Sequence, residues 1–386
     1  MKAFSLARLK RRRTTLVLLP LLAGMPLWAH AGATLNFGEG ESLGIGLGMR
    51  SSFSSTTNAA PNGSDRSANF SLDSMRLYMN ASMNDTIKAV FNTERDSSGK
   101  IYVLDAFADF ELDPAFNIWA GRLLPPSDRY NLDGPYYQAA YDYPGVVSNF
   151  YSLETGRDDG VSFWGKLADK KVVYALALTQ GRGHSGGASA TTSNQKASLL
   201  YSGRLSVNLL NPEPTPAYLE GNTFFGGAGD IFTVAAAGMS QSDGVGSATN
   251  RSDYKVYDLD FLYELAIAGG SAFDLSGAYY KYDYAVSAFN ADAAGGAGIG
   301  APGKAYALEA EYLIGQKVGV GKFQPFLRYQ KFDYDAGGST KYTEAGVQYI
   351  IKGDDAKLAA FYAHDDESGT GKPSSNTLKL ALQLQF

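Results

Sequence analysis

The sequence predicts an all-β fold, a 16-stranded antiparallel transmembrane β-barrel with long outer loops and short periplasmic turns. Three observations support it. Hydrophobic and polar residues alternate at period two in many segments. Many of these segments run to about ten residues, the length of a strand that crosses a bilayer at a tilt. Long and short connections also alternate along most of the chain. The mean hydropathy of −0.19 excludes only a bundle of membrane helices.

The N-terminal residues 1–31 are predicted to be a cleaved signal peptide. Six basic side chains between positions 2 and 13 precede a short apolar run, and Ala29-His30-Ala31 is a small-x-small cleavage signal. A single membrane anchor is the alternative, but Pro20 and Pro26 interrupt the run. Cleavage leaves one domain, residues 32–386, the transmembrane barrel.

The mature domain is acidic and has no cysteine. It holds 28 Lys and Arg against 39 Asp and Glu, a net charge of −11. Such a balance argues against nucleic-acid binding, which needs a basic face. The absence of Cys excludes disulfides, thiolate zinc sites and iron–sulfur clusters.

Period-two alternation is clearest in the last eleven residues. Leu378, Leu380, Leu382, Leu384 and Phe386 alternate there with Lys379, Ala381, Gln383 and Gln385. Sixteen such segments are predicted as strands, near 43–53, 70–83, 87–94, 101–112, 116–123, 157–167, 172–180, 198–209, 231–239, 254–264, 271–282, 304–314, 323–332, 341–351, 356–363 and 376–386. Aromatic residues near strand ends, such as Phe53, Tyr282 and Tyr329, are expected to form interfacial girdles.

The connections between these strands provide a test that does not depend on hydropathy. A membrane barrel with both termini in the periplasm needs short periplasmic turns and longer outer loops. The chain follows this rule except at the Pro-rich stretch 210–230, which should be periplasmic. A small extra element, or a missed strand pair, are the two explanations for that stretch.

Enzymatic chemistry finds little support in the sequence. The mature chain has only His184 and His364, both in predicted outer loops and without metal-ligand spacing. Gly298-Ile-Gly300-Ala-Pro-Gly303 matches a dinucleotide fingerprint, but a period-two segment follows it where a helix is required. Paired carboxylates at 309 and 311 suit glycoside hydrolysis, yet they more simply line a wet interior. No catalytic residue, metal or cofactor is therefore predicted.

Polar faces of the strands supply candidate pore-lining residues. The candidates are Arg76, Lys88, Asp105, Asp109, Arg122, Arg204, Glu309, Glu311 and Arg328. Lys379 is a further inward basic residue, and Glu111, Asp258, Asp260 and Glu264 are further acids. Because acids outnumber bases, the balance favours cations, although local charge at the narrowest point could reverse it.

The longest connection, residues 124–156, is the most distinctive segment. It is rich in Tyr and Pro and too apolar to extend into water. The lumen of a 16-stranded barrel is wide enough to receive it. We expect it to fold inward and narrow the pore; the alternative is a cover over the barrel mouth or a subunit interface. The constriction candidates are Asp128, Arg129, Tyr130, Asp133, Tyr136, Tyr137, Tyr141 and Asp142.

The chain resembles the porins of Gram-negative outer membranes. The terminal strand ending in Phe386 resembles their assembly signal. Ala120-Gly-Arg-Leu-Leu-Pro-Pro126 and Arg157-Asp-Asp-Gly-Val-Ser-Phe-Trp-Gly165 are similar to segments of the phosphate-selective porin-like group. The resemblance implies a homotrimer in the outer membrane with the third loop in the channel. It also implies many pore-lining Arg and Lys in phosphate-specific members, and this chain has no comparable cluster.

The leading functional hypothesis is a water-filled channel for passive diffusion of small hydrophilic solutes and ions. Its partners would then be outer-membrane lipid and those solutes, with no nucleic acid. The alternative is a channel selective for an anion, an organic acid or a sugar. A barrel that sheathes another protein, or an outer-membrane enzyme, is the third hypothesis.

Overall fold

The structure is a computed structural model that describes residues 32–150, 156–182, 192–292, 300–367 and 373–386. Most of these residues lie in strands. The strands are β1 (Ala33–Asn36), β2 (Ser42–Thr56), β3 (Asn69–Ser82), β4 (Ile87–Asp96), β5 (Ile101–Asp113), β6 (Phe116–Leu123), β7 (Asp158–Leu167), β8 (Val172–Thr179), β9 (Leu200–Asn208), β10 (Ile231–Gly246), β11 (Arg251–Ile267), β12 (Ser271–Tyr282), β13 (Gly303–Leu313), β14 (Lys322–Tyr334), β15 (Ser339–Lys352), β16 (Ala356–Asp366) and β17 (Ser375–Gln385). Two short helices, α1 (Arg129–Asp133) and α2 (Val286–Asn290), lie in connections. Within the described ranges, no helix is long and apolar enough to span a membrane.

Strands β2 to β17 form a closed antiparallel ring. Each pairs with its neighbours in chain order, and β17 pairs with β2 to close the barrel, with Leu384 opposite Met49. This confirms the predicted 16-stranded barrel. The short β1 was not predicted. It pairs with the first residues of β2, from Ala33 opposite Ile45 to Asn36 opposite Ser42, below the point where β17 stops.

Alternation along each strand separates a lumen face from an outer face. On β13, Glu309 and Glu311 are buried inside, whereas Leu308 and Tyr312 are 50% and 40% exposed on the outside. The same pattern leaves Leu259 on β11 62% exposed. A band of exposed apolar side chains around a closed barrel is the surface that hydrocarbon requires.

The connections follow the predicted alternation of lengths only in part. Short turns join β3 to β4, β5 to β6 and β7 to β8, and long loops precede β3, β7, β9 and β13 at the other end. The outer connections 97–100, 247–250 and 335–338 are short, because the strands on either side extend further than predicted. A long connection also lies at the periplasmic end, the segment 209–230 between β9 and β10, which we call the periplasmic connection. It contains no strand. Much of it folds into the barrel, since Tyr218 is 1% and Asn222 0% exposed.

Two side chains lie on the opposite face from the one predicted. Tyr282 is not in an outer girdle: it is fully buried, and its hydroxyl donates to the carbonyl of Val147 at 2.5 Å. Arg122 does not line the pore. Trp119 and Leu123 occupy the inner face of β6, so Arg122 lies on the outer face, paired with Asp159 at 2.8 Å. Apolar side chains face inward here because the periplasmic connection packs against them.

Candidate functional site

The described part of the third outer loop, residues 124–150, lies inside the barrel. Its backbone carbonyls accept hydrogen bonds from wall side chains on the far side of the ring from β6 and β7. Lys357 on β16 donates to Gln138 at 2.9 Å, and Gln383 on β17 donates to Tyr136 at 2.7 Å. The loop therefore crosses the lumen and rests on the opposite wall.

Close approach of the loop to β2 explains one glycine of the Gly44, Gly46 and Gly48 series. A Cβ added to Gly48 would lie 2.9 Å from a ring carbon of Tyr136. The hydroxyl of Tyr136 is 2.9 Å from the hydroxyl of Ser74 on β3. Any larger residue at position 48 would push the ring of Tyr136 away from the wall.

Basic side chains of β2 and β17 hold the distal part of the loop. Arg50 lies over the ring of Tyr141 at 4.0 Å, and Lys379 pairs with Asp142 at 2.7 Å. The hydroxyl of Tyr141 donates to Asp73 at 2.8 Å. A cation over an aromatic face and a charge-assisted hydrogen bond both stabilise this position of the loop against the wall.

Carboxylates of β11 to β13 hold the other side of the loop. Glu309 accepts from the backbone N–H of Ala140 at 2.8 Å. Asp260 accepts from the backbone N–H of Arg129 at 3.2 Å and pairs with its guanidinium at 3.3 Å. Tyr280 on β12 donates to Asp128 at 2.9 Å.

The periplasmic connection enters the lumen from the opposite end and meets the third loop. The guanidinium of Arg129 donates to both oxygens of Glu213, at 2.8 and 3.0 Å, and to the carbonyl of Gly221 at 2.6 Å. Tyr218 donates to the carbonyl of Leu124 at 2.6 Å. These contacts join the two segments in the interior, and we call the contacts of Arg129 with Glu213 and Gly221 the latch.

The wall anchors the periplasmic connection as well. Glu264 on β11 accepts from the backbone N–H groups of Phe224 and Gly226 at 2.6 and 2.9 Å. Arg204 on β9 pairs with Glu220 at 3.0 Å and with Asp260 at 2.6 Å. Arg204 therefore bridges the periplasmic connection and β11, whose Asp260 also pairs with Arg129.

The predicted pore-lining bases other than Arg122 lie on the lumen face, each with an acidic partner. Arg76 pairs with Glu94, Lys88 with Glu111 and Arg328 with Glu344, in addition to the pairs of Arg204. Among the predicted acids, Asp105 pairs with Arg157 at 3.0 Å, and Asp109 is buried on the lumen face of β5. The basic residues of the lumen are therefore compensated locally.

Several of these wall residues are covered by the third loop. Arg328 and Glu309 are 0% and Glu311 is 2% exposed. Glu311 and Asp274 have buried carboxylates with no hydrogen-bond partner in the described part of the chain. This wall consequently carries more carboxylates than bases, beneath and beside the loop.

The constriction candidates gather in one place but serve different purposes. Tyr130, Tyr136 and Tyr141 are buried against the wall, so the third loop does not expose a continuous aromatic track to the lumen. Tyr137 is only partly buried and lines a cavity beside the loop, together with Asp133. Asp142 and Asp128 anchor the loop through the contacts given above.

Two carboxyl groups of the third loop have perturbed acidity. Burial raises the pKa of Asp128 to about 6, against the opposing hydrogen bonds from Ser148 and Tyr280. Burial also raises the pKa of Asp133 well above its usual range. The protonated form of each is therefore favoured while the loop is in its seat.

Sequence reasoning missed the residues that join the loop to the rest of the interior. Glu213, Glu220 and Tyr218 lie in the periplasmic connection, which the length rule marked only as irregular. Arg157 was quoted in a motif without a role, and Arg50 was assigned only to a strand. The segment 210–230 combines Pro with apolar and aromatic residues, and this composition could have indicated that it packs inside the barrel. His184 and Gly298, which the sequence analysis placed in loops, lie outside the described residues.

No cluster of three or more His, Asp or Glu side chains in the described ranges is arranged to hold a metal ion. The interior of the barrel is a lumen that is narrowed by the third loop and lined by paired charges. The family model of phosphate-selective porins O and P matches residues 44–386. The chain belongs to this family. It is an outer-membrane porin, a channel protein of Gram-negative bacteria and not an enzyme.

Solved porin structures share the fold. An anion-selective porin from Comamonas acidovorans is 11% identical, with a TM-score of 0.58 over 90% of this chain and 100% of its own. OprB of Pseudomonas putida is 7% identical, with a TM-score of 0.60 over 89% and 94%. The trimer form of OmpT from Vibrio cholerae is 12% identical, with a TM-score of 0.54 over 90% and 100%. Among curated protein sequences, none matches this porin.

Proposed function

We propose that this porin conducts small hydrophilic solutes and ions by passive diffusion, with a modest preference for cations. The channel is narrowed by the third outer loop from one side and by the periplasmic connection from the other. The observation that carries the proposal is the compensation of charge in the lumen. Arg76, Arg204 and Arg328 each pair with a carboxylate, so the described part of the lumen holds no row of uncompensated bases for phosphate.

The excess of acidic residues supports the preference for cations. The mature chain has a net charge of −11. A channel lined by excess negative charge lowers the energy of a passing cation. The direction of selectivity therefore differs from that expected of a phosphate channel.

Reversal potentials in planar bilayers test this function. Purified, heat-modifiable protein in a KCl gradient should give a potential of the sign for K⁺ over Cl⁻, and phosphate should not block the chloride current. Deletion of residues 131–141 should raise the conductance, whereas deletion of residues 58–66 in the first outer loop should not. Folded protein without conductance would contradict the channel, and selectivity for phosphate would contradict the charge argument.

The same proposal includes export and assembly. We propose cleavage before Gly32 and assembly as a homotrimer, supported by the sequence of residues 1–31 and by the trimer form of the Vibrio cholerae protein. Mass spectrometry of the mature N-terminus tests the first statement. Native mass or cross-linking in mild detergent tests the second, and a monomer under those conditions would contradict it.

A further inference from the structure

A cavity of about 450 Å³ lies between the third loop, the periplasmic connection and the wall formed by β3 to β6. Tyr78 and Trp119 line it from the wall, Tyr137 from the loop and Phe224 from the periplasmic connection. Its volume falls within the range of small-molecule sites. Because the third loop and the periplasmic connection both line it, the cavity exists only while both segments are packed inside the barrel.

The charged side chains around this cavity are compensated. Arg157 pairs with Asp105 at 3.0 Å, and Lys352 pairs with Asp355 at 3.0 Å. Arg76 pairs with Glu94 in the same way. Burial raises the pKa of Asp133 well above its usual range, which favours its neutral form. A free ion would therefore find no unpaired counter-charge here and would lose its hydration.

Neutral polar groups are well represented on the same surface. The carboxamide of Asn92, 4% exposed, donates to Asp105 at 2.8 Å, and its oxygen has no partner in the described part of the chain. Asn80 lines the cavity beside it. The hydroxyls of Tyr78 and Tyr137 both donate to Gln385, at 3.1 and 3.4 Å, and both side chains line the cavity.

Aromatic carbon supplies the rest of the lining. Phe107 stacks on Trp119 with ring centroids 4.5 Å apart, and Phe224 faces the cavity from the periplasmic connection. A ligand that suits this surface needs one flat apolar face for the rings. It also needs several donors and acceptors at its edge and no net charge. A polyhydroxylated ring meets all three requirements.

We propose that this cavity binds a neutral sugar as it passes through the porin. The inference rests on the proposed function, because the lumen is the route by which the solute reaches the cavity. It assigns to Asn92 and Tyr137 the recognition of ring hydroxyls, and to the partly exposed Phe224 the contact with the apolar face of the ring. Trp119 is packed between Phe107 and Tyr218 in the wall of the cavity, where it can report on the site.

Tryptophan fluorescence tests binding without any need for conduction. The mature chain has only Trp119 and Trp164, so the Trp164→Phe variant reports on Trp119 alone. Titration of this folded variant of the mature chain, residues 32–386, with maltose should give a saturable change, with a dissociation constant on the order of 1 mM. The non-ring polyol glycerol and the anion benzoate should give none.

Variants locate the site. Asn92→Ala and, separately, Tyr137→Ala should each weaken maltose binding by roughly fivefold to tenfold. Asn62→Ala, in the first outer loop, should leave it unchanged. Tyr137 lies in a loop, so its variant remains informative where Asn92→Ala fails to fold.

The outcomes separate this inference from the proposed function. Absence of a saturable signal at maltose concentrations on the order of 0.1 M, or equal responses to maltose and glycerol, would overturn the sugar site while leaving the channel intact. Unaltered binding in Tyr137→Ala would overturn its location. Sugar binding by a protein that does not conduct would instead refute the channel.

Discussion

The latch between the third loop and the periplasmic connection should respond sharply to loss of Arg129. In Arg129→Gln, the carboxylate of Glu213 loses charge-assisted bonds of 2.8 and 3.0 Å and stays in a position only 6% exposed. Removing one partner of a buried pair costs about 3–5 kcal/mol. Since about 1.4 kcal/mol is a factor of ten, the equilibrium for opening of the latch should shift roughly 100-fold or more.

Hydrogen exchange read by mass spectrometry measures that shift. Protection of peptides from 124–150 and 209–230 should fall together in Arg129→Gln, while the barrel strands keep theirs. Arg66→Gln, which removes an exposed bond to Ser55, is the control and should change neither segment. The double variant Arg129→Gln with Glu213→Gln removes the orphaned charge and should recover most of the protection. Protection within about threefold of the parent in the single variant, or no recovery in the double variant, would refute the reasoning.

Three further outcomes are expected. Because burial raises the pKa of Asp128 to about 6, its contribution to the stability of the inward-folded loop is fully present below about pH 4 and is lost as pH rises through 6. Exchange of the loop, corrected for intrinsic rate, should be faster at pH 7.5 than at pH 5, and Asp128→Asn should reduce the difference, with the remainder due to Asp133. Leu259→Arg, at the centre of β11 on the lipid face, should cost about 2–4 kcal/mol in urea titrations of vesicle-folded protein, and much less as Leu259→Ala; equal losses would contradict a lipid-facing position. Phe386→Gly should lower the yield of heat-modifiable barrel, because it removes an outward-facing ring, 55% exposed, at the closing seam; an undiminished yield would count against a role for its side chain in assembly.

The strands were predictable because a barrel wall leaves a simple record in sequence. One face of β13 or β17 meets hydrocarbon and the other meets polar groups, so the side chains alternate at period two. The length of each connection was then used to assign it to the outer or the periplasmic end of the barrel. The alternation does not depend on what fills the lumen, so it located the strands along almost the whole chain. The lengths of the connections were less informative, because strands such as β10 and β11 extend until only 247–250 separates them.

The interior was harder to predict because its partners are distant in sequence. Arg129 and Glu213 meet only after the barrel closes, and no local pattern records that contact. Arg122 and Tyr282 were misplaced for the same reason. The prediction assumed that large side chains near strand ends face lipid and that charges face water, but interior segments supply an apolar partner for Trp119 and a carbonyl for Tyr282.

The closing seam has a consequence for how this chain reaches its native state. β2 and β17 are partners, yet Met49 and Leu384 are separated by more than 300 residues. The edge of β2 that pairs with β17 therefore stays without its partner strand until nearly every other strand has been synthesised. Pairings between such remote segments form slowly and leave the chain open to aggregation. The time between export and closure is thus the stage at which this protein depends most on being shielded from other chains.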